Sequence, residues 1–371
     1  MENINKPDYT LPKAYRPITL LNTITKILSS IISEDLVHLT KTHNLLPPNS
    51  FGGRPGRSTV DSLMLTVHWV YEKWRKGLTV SGLFLDISGA FSNAVIKCVI
   101  YNMRCQHIPI KYTQWTECCM AGHKTILMFD DYISDPFEVT NGLDQGDPPS
   151  SVFYGFYNAD LITLLSDPNK LKSAFVDDTV YLAAGNTFQE NNDKLSNMMT
   201  PPNGANEWSA SHNSNFEIDK FALLHMSRKC EPNPNQQGKQ RPIPCPPLHL
   251  VNHIINPSTS HKFLGIFLDQ SLNFKEHANY TLGKGEKYAA QIRCLGQQCR
   301  GVPGRLTRNL HNTIVMPKML HAAEVWCNPI RNPPPQERKR SMDPPPSPQN
   351  LQGYSAHPPP SSLAQCAQPP P

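Results

Sequence analysis

No run of 18 or more apolar residues occurs anywhere in this chain, so no segment reads as a membrane-spanning helix. The opening stretch MENINKPDYTLPKAYRPI has no apolar core, and a secretory signal peptide is not expected there. No internal repeat is visible. Cysteine is present, but its ten residues lack a repeating spacing. Cys118 and Cys119 are adjacent, and Cys294 and Cys299 make one loose pair with His311 further on, whereas a zinc site wants two tight pairs. Reduced thiols in an intracellular protein are the expectation, with nucleus or cytoplasm left open. An excess of one charge is also missing. The 35 basic and 30 acidic residues give +5, which suits a nucleic-acid binder but is shared by many ordinary proteins.

Proline is what the chain has in excess, 36 residues in all, far above average usage. Thirteen of them fall in residues 331–371, with few large apolar side chains between. Such a tail cannot bury enough surface to offset its ordering entropy, and disorder is expected. Six more crowd residues 231–247, which reads as a linker or insertion. The rest is long enough for two or more lobes.

Within that remainder, residues 19–38 place Leu20, Ile24, Ile27, Leu28, Ile31 and Leu36 at helical spacing, predicting a helix. A loop rich in Gly and Pro follows, LLPPNSFGGRPGR at 45–57. Ser58 and Thr59 can cap a second helix to about Lys76, with Asp61 near its positive end. VSGLFLDI at 80–87 predicts a strand that ends in a carboxylate, and AFSNAVIKCVIYNMR at 90–104 a helix. Residues 124–140 suggest two short strands around DDYISDP. After the loop NGLDQGDPPSS, VFYGFYNADLITLL (152–165) reads as helix. LKSAFVDDTVYLAA (171–184) is two apolar runs flanking an Asp pair, the shape of a tight hairpin. KFALLHMS (220–227) and KFLGIFLD (262–269) read as strands, and two helical stretches cover roughly 273–298 and 304–326.

The chemistry centres on acids at strand positions. Asp86 ends GLFLD, and Asp177 and Asp178 sit between SAFV and TVYLAA. An unpaired carboxylate costs several kcal/mol to desolvate, a cost that hard divalent cations offset. Two such ions about 4 Å apart activate an attacking hydroxyl and stabilise a leaving pyrophosphate. The competing reading, turn or capping residues on loop ends, would win for a lone Asp. For this trio the two readings stand level on the residues alone.

FLDISGAF at 84–91, GLDQGDPPSS at 142–151 and FVDD at 175–178 occur in the order and spacing of the palm motifs of reverse transcriptases. AYRPITLLNTITK, FGGRPGRST, FEIDKFALLHMSR and HKFLGI extend the likeness over about residues 8–330. The chain thus resembles the reverse transcriptases of non-LTR (LINE-type) retrotransposons, of the kind found in fungi. The resemblance implies an α+β right-hand polymerase. Its parts would be helical fingers at 1–80, an antiparallel-sheet palm at 81–230, and the palm end with a thumb-like helical region at 248–330. It implies an RNA-directed DNA polymerase that adds deoxynucleotides from their triphosphates to a DNA primer on an RNA template, with no membrane partner. Asp86 and Asp177 would hold two magnesium ions, or manganese, with Asp178 as the supporting carboxylate. Phe91 matches the gate that excludes a ribose 2′-hydroxyl. Gln145 and Gly146 match the loop against the incoming nucleotide, and Lys220 the palm lysine that approaches the triphosphate. Leu264 and Gly265 match the primer grip, and Arg16 and Lys26 fall in the fingers, where cations meet phosphates. Read without the family, Phe91 is a core aromatic, Lys220 a solvated lysine and KFLGI a buried strand.

Some features depart from the pattern. GGRPGRST lacks the glycine gap of a P-loop and has Arg57 in place of lysine, so that motif is rejected; Arg54 and Arg57 are expected to contact template backbone or to lie in a solvated loop. Ser92 stands where many reverse transcriptases have Asp, Pro149 where Leu is usual, and Ser50 where many have Gln. Neither the endonuclease nor the RNase H domain of the family's full-length products is expected within this chain, which suggests a fragment or a decayed copy. Three rivals remain: a catalytically inactive, retroelement-derived nucleic-acid binder, a group II intron maturase-type protein, and a scaffold using its proline-rich tail.

Overall fold

The computed structural model describes residues 10, 15, 18–163, 165–200, 202, 204–232, 240–250, 253–296 and 302–327. Arg16, Cys299 and the tail 331–371 lie outside the described residues. Helices α1 (Thr23–Thr42) and α2 (Thr59–Arg75) precede strand β1 (Thr79–Leu85) and helices α3 (Ile96–Cys105) and α4 (Ile110–Met120). Four two-residue strands follow, β2 (Lys124–Thr125), β3 (Met128–Phe129), β4 (Tyr132–Ile133) and β5 (Phe137–Glu138), and then α5 (Ser150–Tyr157). The hairpin β6 (Lys170–Phe175) and β7 (Asp178–Gly185) leads to α6 (Phe188–Met199), α7 (Ala205–Ser211) and β8 (Ala222–Met226). Short strands complete the sheet elements: β9 (Cys230–Pro232), β10 (Gln240–Pro242), β11 (Leu248–Leu250), β12 (His253–Ile255), β13 (Pro257–Ser258), β14 (Ser260–Phe263) and β15 (Ile266–Asp269). Helices α8 (Lys275–Gly296), α9 (Gly304–Leu310), α10 (Met316–Met319) and α11 (Ala323–Trp326) close the described chain.

A five-stranded sheet in the order β13-β8-β1-β7-β6 organises the molecule, antiparallel except where β13 meets β8. Its central strand β1 is buried along its whole length, because both faces are covered. Leu83 and Leu85 face one core, with Tyr181, Leu223 and aromatic residues of α5. Val80 and Phe84 face the other, with Leu63, Met64 and Val67 of α2 and with Phe263 and Ile266. The near-continuous apolar run of β1 follows from this double burial, and each such large side chain contributes about 1.5–3 kcal/mol.

The helix starts follow local chemistry. Asn22 caps α1 by accepting from the Thr25 amide at 2.8 Å. At α2, Ser58 and Asp61 form a reciprocal capping box.

Several elements differ from the sequence reading. Helix α3 begins only at Ile96, because the Leu143 and Gly142 amides take the Phe91 and Ala94 carbonyls at 2.7 and 2.8 Å. The strand expected over 262–269 is a hairpin, β14–β15, turning at Leu264 (φ +46°) and Gly265 (φ +89°). Two positive φ values make this the turn type that matches strand twist. The helix expected over 152–165 ends at Tyr157, and that over 304–326 is broken near Ala322, which sits at φ +51°. In the proline-dense stretch, β9 and β10 pair antiparallel around residues 233–239, which are outside the described residues.

Candidate active site

The register of β1 on β7 decides where the acids fall. Leu85 pairs with Thr179, so the next residue outward on each strand is Asp86 and Asp178. Neighbouring strands lie about 5 Å apart, and the two carboxylates therefore share one end of the sheet. Asp177 occupies the two-residue turn, Val176–Asp177, that closes the Phe175–Asp178 pair. Val176 takes φ +60°, an uncommon conformation for a β-branched residue.

The surroundings over-determine that turn. Asn158 Nδ2 donates to the Val176 carbonyl at 2.8 Å. Residues 49–51 run beside β6, with the Phe51 amide on the Ala174 carbonyl at 2.9 Å and the Ala174 amide on the Asn49 carbonyl at 3.2 Å. Gly52 follows, and a Cβ there would lie 2.5 Å from the Val176 nitrogen, so the loop approaches the turn as closely as only glycine permits. Arg54 and Arg57 hold this loop from within. Arg54 donates to the Pro47 and Ser50 carbonyls at 2.7 and 3.2 Å, and Arg57 to the carbonyls of Ser50 and Pro48. Desolvation and then the charge of Arg57 bring the Arg54 guanidinium down to about 10. These arginines brace the turn, where the sequence suggested template contacts or a solvated loop.

Negative charge accumulates at the sheet end. Asp178 is solvent-reachable, yet its carboxyl is raised to about 6, by desolvation first and by Asp177 and Asp86 next. Lys220 Nζ lies 2.8 Å from Asp86 Oδ2 and also pairs with Glu217. Its ammonium is a cation already seated on one of these acids. Among the described residues no group of three His, Cys, Asp or Glu forms a metal cage. An open pair of carboxylates nonetheless fits magnesium, which is commonly held by one or two carboxylates plus substrate phosphates. The raised Asp178 and the cation on Asp86 both show acids that favour positive charge.

Phe91 is half-buried and stacks on Tyr154, ring centroids 5.1 Å apart. Tyr154 is fully buried, its hydroxyl has no hydrogen-bond partner among the described residues, and desolvation followed by Asp177 raises it well above the usual phenol range. The Gln145 carbonyl accepts from the Thr19 amide at 2.9 Å, and Gly146 takes φ +106°. That contact ties the Gln145 loop to the chain entering α1. Pro149 is the N-cap of α5 at φ −75°, an angle proline prefers and a position where a missing amide is tolerated. Leu264 and Gly265 form the tip of β14–β15, packed through Phe263 against Phe84 at 5.2 Å. Sequence reasoning missed Glu217, Gly52 and Tyr154. Only the pairing of residues 215–217 with Asp86–Ser88 brings Glu217 here.

Acids thus stand at the ends of adjacent antiparallel strands, in a sheet covered by helices on both faces. A family model described as reverse transcriptase (RNA-dependent DNA polymerase) matches residues 4–268, well over half of the chain, and the chain belongs to that family. It is 24% identical over 328 residues to the probable RNA-directed DNA polymerase from transposon BS of Drosophila melanogaster, covering 86% of this chain and 34% of that protein. It is 23% identical over 269 residues to the RNA-directed DNA polymerase from mobile element jockey of Drosophila funebris, covering 71% and 28%. The chain thus spans about a third of the length of these curated relatives. A solved telomerase from Candida tropicalis, in complex with a fragment of telomeric RNA, aligns with a TM-score of 0.45 at 10% identity over 81% of this chain and 51% of that one. That likeness is too distant to add to the fold.

Proposed function

We propose that this chain is the polymerase core of a LINE-type retrotransposon, of the kind found in fungi, and copies RNA by adding deoxynucleotides to a primer 3′-hydroxyl. The observation that carries the reading is the β1–β7 register, which sets Asp86 beside Asp178 with Asp177 in the adjoining turn. In this reading Asp86 and Asp177 hold two magnesium or manganese ions, and Asp178 supports them. Bound there, the ions supply activation of the primer hydroxyl and charge stabilisation on the leaving pyrophosphate. Phe91, backed by Tyr154, closes the space a ribose 2′-hydroxyl would need. Gln145 and Gly146 pack on the incoming nucleotide, Lys220 and Arg16 meet its phosphates, and the Leu264–Gly265 turn grips the primer. Residues 1–80 then serve as fingers, 81–230 as palm, and 248–330 as palm end and thumb.

Primer extension on purified protein, with and without magnesium, tests this. Asp177→Asn is expected to abolish nucleotide addition while leaving primer–template affinity nearly intact, because duplex affinity comes mainly from distributed phosphate contacts. Salt-dependent binding of primer–template by wild-type protein, with no addition in either metal, would instead establish the inactive binder.

A further inference from the structure

Lys220 is shared between two acids of different standing. Its ammonium sits 2.8 Å from Asp86 Oδ2, a proposed metal ligand, and it also pairs with Glu217, to which the family resemblance gives no role. Glu217 is fixed there by the main chain. Its amide donates to the Asp86 carbonyl at 3.0 Å, and the Ser88 amide donates to the Asn215 carbonyl at 2.9 Å. Between these bonds Phe216 bridges Ile87 antiparallel. Lys220 is then reached in one tight turn, its amide donating to the Glu217 carbonyl at 2.9 Å. The lysine side chain is 56% exposed, and a lysine is a compact charge on a flexible stem. It can therefore move between the two acids without disturbing the backbone that presents them.

A divalent cation on Asp86 would approach to about 2.1 Å and repel an ammonium seated on the same carboxylate. We propose that Lys220 is a displaceable counter-ion of Asp86, and that Glu217 is the positioning residue that receives it when the cation enters. The inference rests on the two-metal reading above. Glu217 then does two things. It lowers the cost of displacing Lys220, and it keeps the ammonium beside the site rather than releasing it to solvent.

Manganese titration of the protein–primer–template complex, followed by electron paramagnetic resonance, reads this without turnover. Glu217→Gln preserves shape and backbone donors, and is expected to raise the manganese half-saturation about 3- to 5-fold, the upper range for a half-exposed charge pair. The decisive arm is the double variant. With Lys220→Gln present there is nothing to receive, so adding Glu217→Gln should leave half-saturation unchanged within twofold. An equal weakening in both backgrounds would show Glu217 acting directly on the cation and would overturn the proposal, as would an unchanged half-saturation in the single variant. Manganese binding that is indifferent to Asp86→Asn would overturn the two-metal reading itself.

Discussion

Two parts of this molecule carry similar apolar patterns and use them in opposite ways. In the palm sheet, Leu83, Val180, Leu182 and Leu224 are fully buried. On α1, the stripe of Ile24, Ile27, Leu28 and Ile31 lies largely in solvent, with Ile24 81% exposed, as does Leu20 just before the helix; of the apolar residues expected to share this face, only Leu36 is buried. The hairpin strands β3 and β4 behave like α1, since Met128, Phe129, Tyr132 and Ile133 are all exposed. Periodicity reports which side chains share a face, but whether a partner covers that face is a tertiary fact. The palm finds its cover within the described chain on both sides, whereas α1 packs on the core only along Leu36, Ile32, Val37 and Leu39. It adds polar contacts such as Ser33 Oγ on the Pro148 carbonyl at 3.3 Å, and leaves its other apolar side chains in solvent.

The largest effect expected from this contrast lies at the sheet centre. Leu83→Ala removes a fully buried side chain between β7 and β8, and should cost about 2–5 kcal/mol in denaturant unfolding. A loss under 1 kcal/mol would show that the sheet is less tightly packed than its burial implies.

A second, smaller effect comes from titration behind the sheet. His277 is buried, accepts from the Phe267 amide at 3.4 Å and packs edge-on against Trp326 at 4.9 Å. Desolvation first, then the charges of His321, Lys284 and Lys262, hold it down to about 4. The folded state therefore keeps it neutral, while the unfolded chain protonates near pH 6.5. Between pH 6.5 and 4 the unfolded state binds more protons, so stability is complete above the upper value and falls as pH falls. One such group contributes at most about 3 kcal/mol. His212, His225 and His261 are lowered too, each chiefly by desolvation, and add to the same slope. Melting curves at pH 7.5 and 5 should show the decline, and His277→Phe should flatten part of it. An unaltered slope in that variant would place the titration elsewhere.

How far the sequence carried this reading depends on where each constraint lives. The placement of Asp86, Asp177 and Asp178 at strand ends was legible because apolar runs flank them and the hairpin needs only local pairing. The hidden features are products of contact. Glu217 reaches the site through a bridge between Phe216 and Ile87 that no spacing announces. The Arg54 and Arg57 guanidiniums turn inward because the carbonyls of Leu46, Pro47, Pro48 and Ser50 converge on them in a tight bend. The turn in KFLGIFLD was invisible because Leu-Gly lacks the Asn-Gly or Asp-Gly signature of such turns.

The smallest expected effect tests the other side of the contrast. Ile24 projects from the first turn of α1 and is 81% exposed, so Ile24→Gln loses little buried surface. Substitutions at such positions usually stay within about 0.5 kcal/mol, and glutamine has good helix propensity where isoleucine is stiffer at χ1. The melting temperature should therefore hold steady or rise slightly, in contrast to the loss at Leu83. Sedimentation of wild type and variant, run beside the melts, gives the result its meaning. If Ile24→Gln lowers stability by more than 1 kcal/mol and also shifts the sedimentation coefficient, the α1 stripe is covered in solution by a second copy of the chain. The two regions would then differ only in where their cover comes from, and the contrast between them would fail.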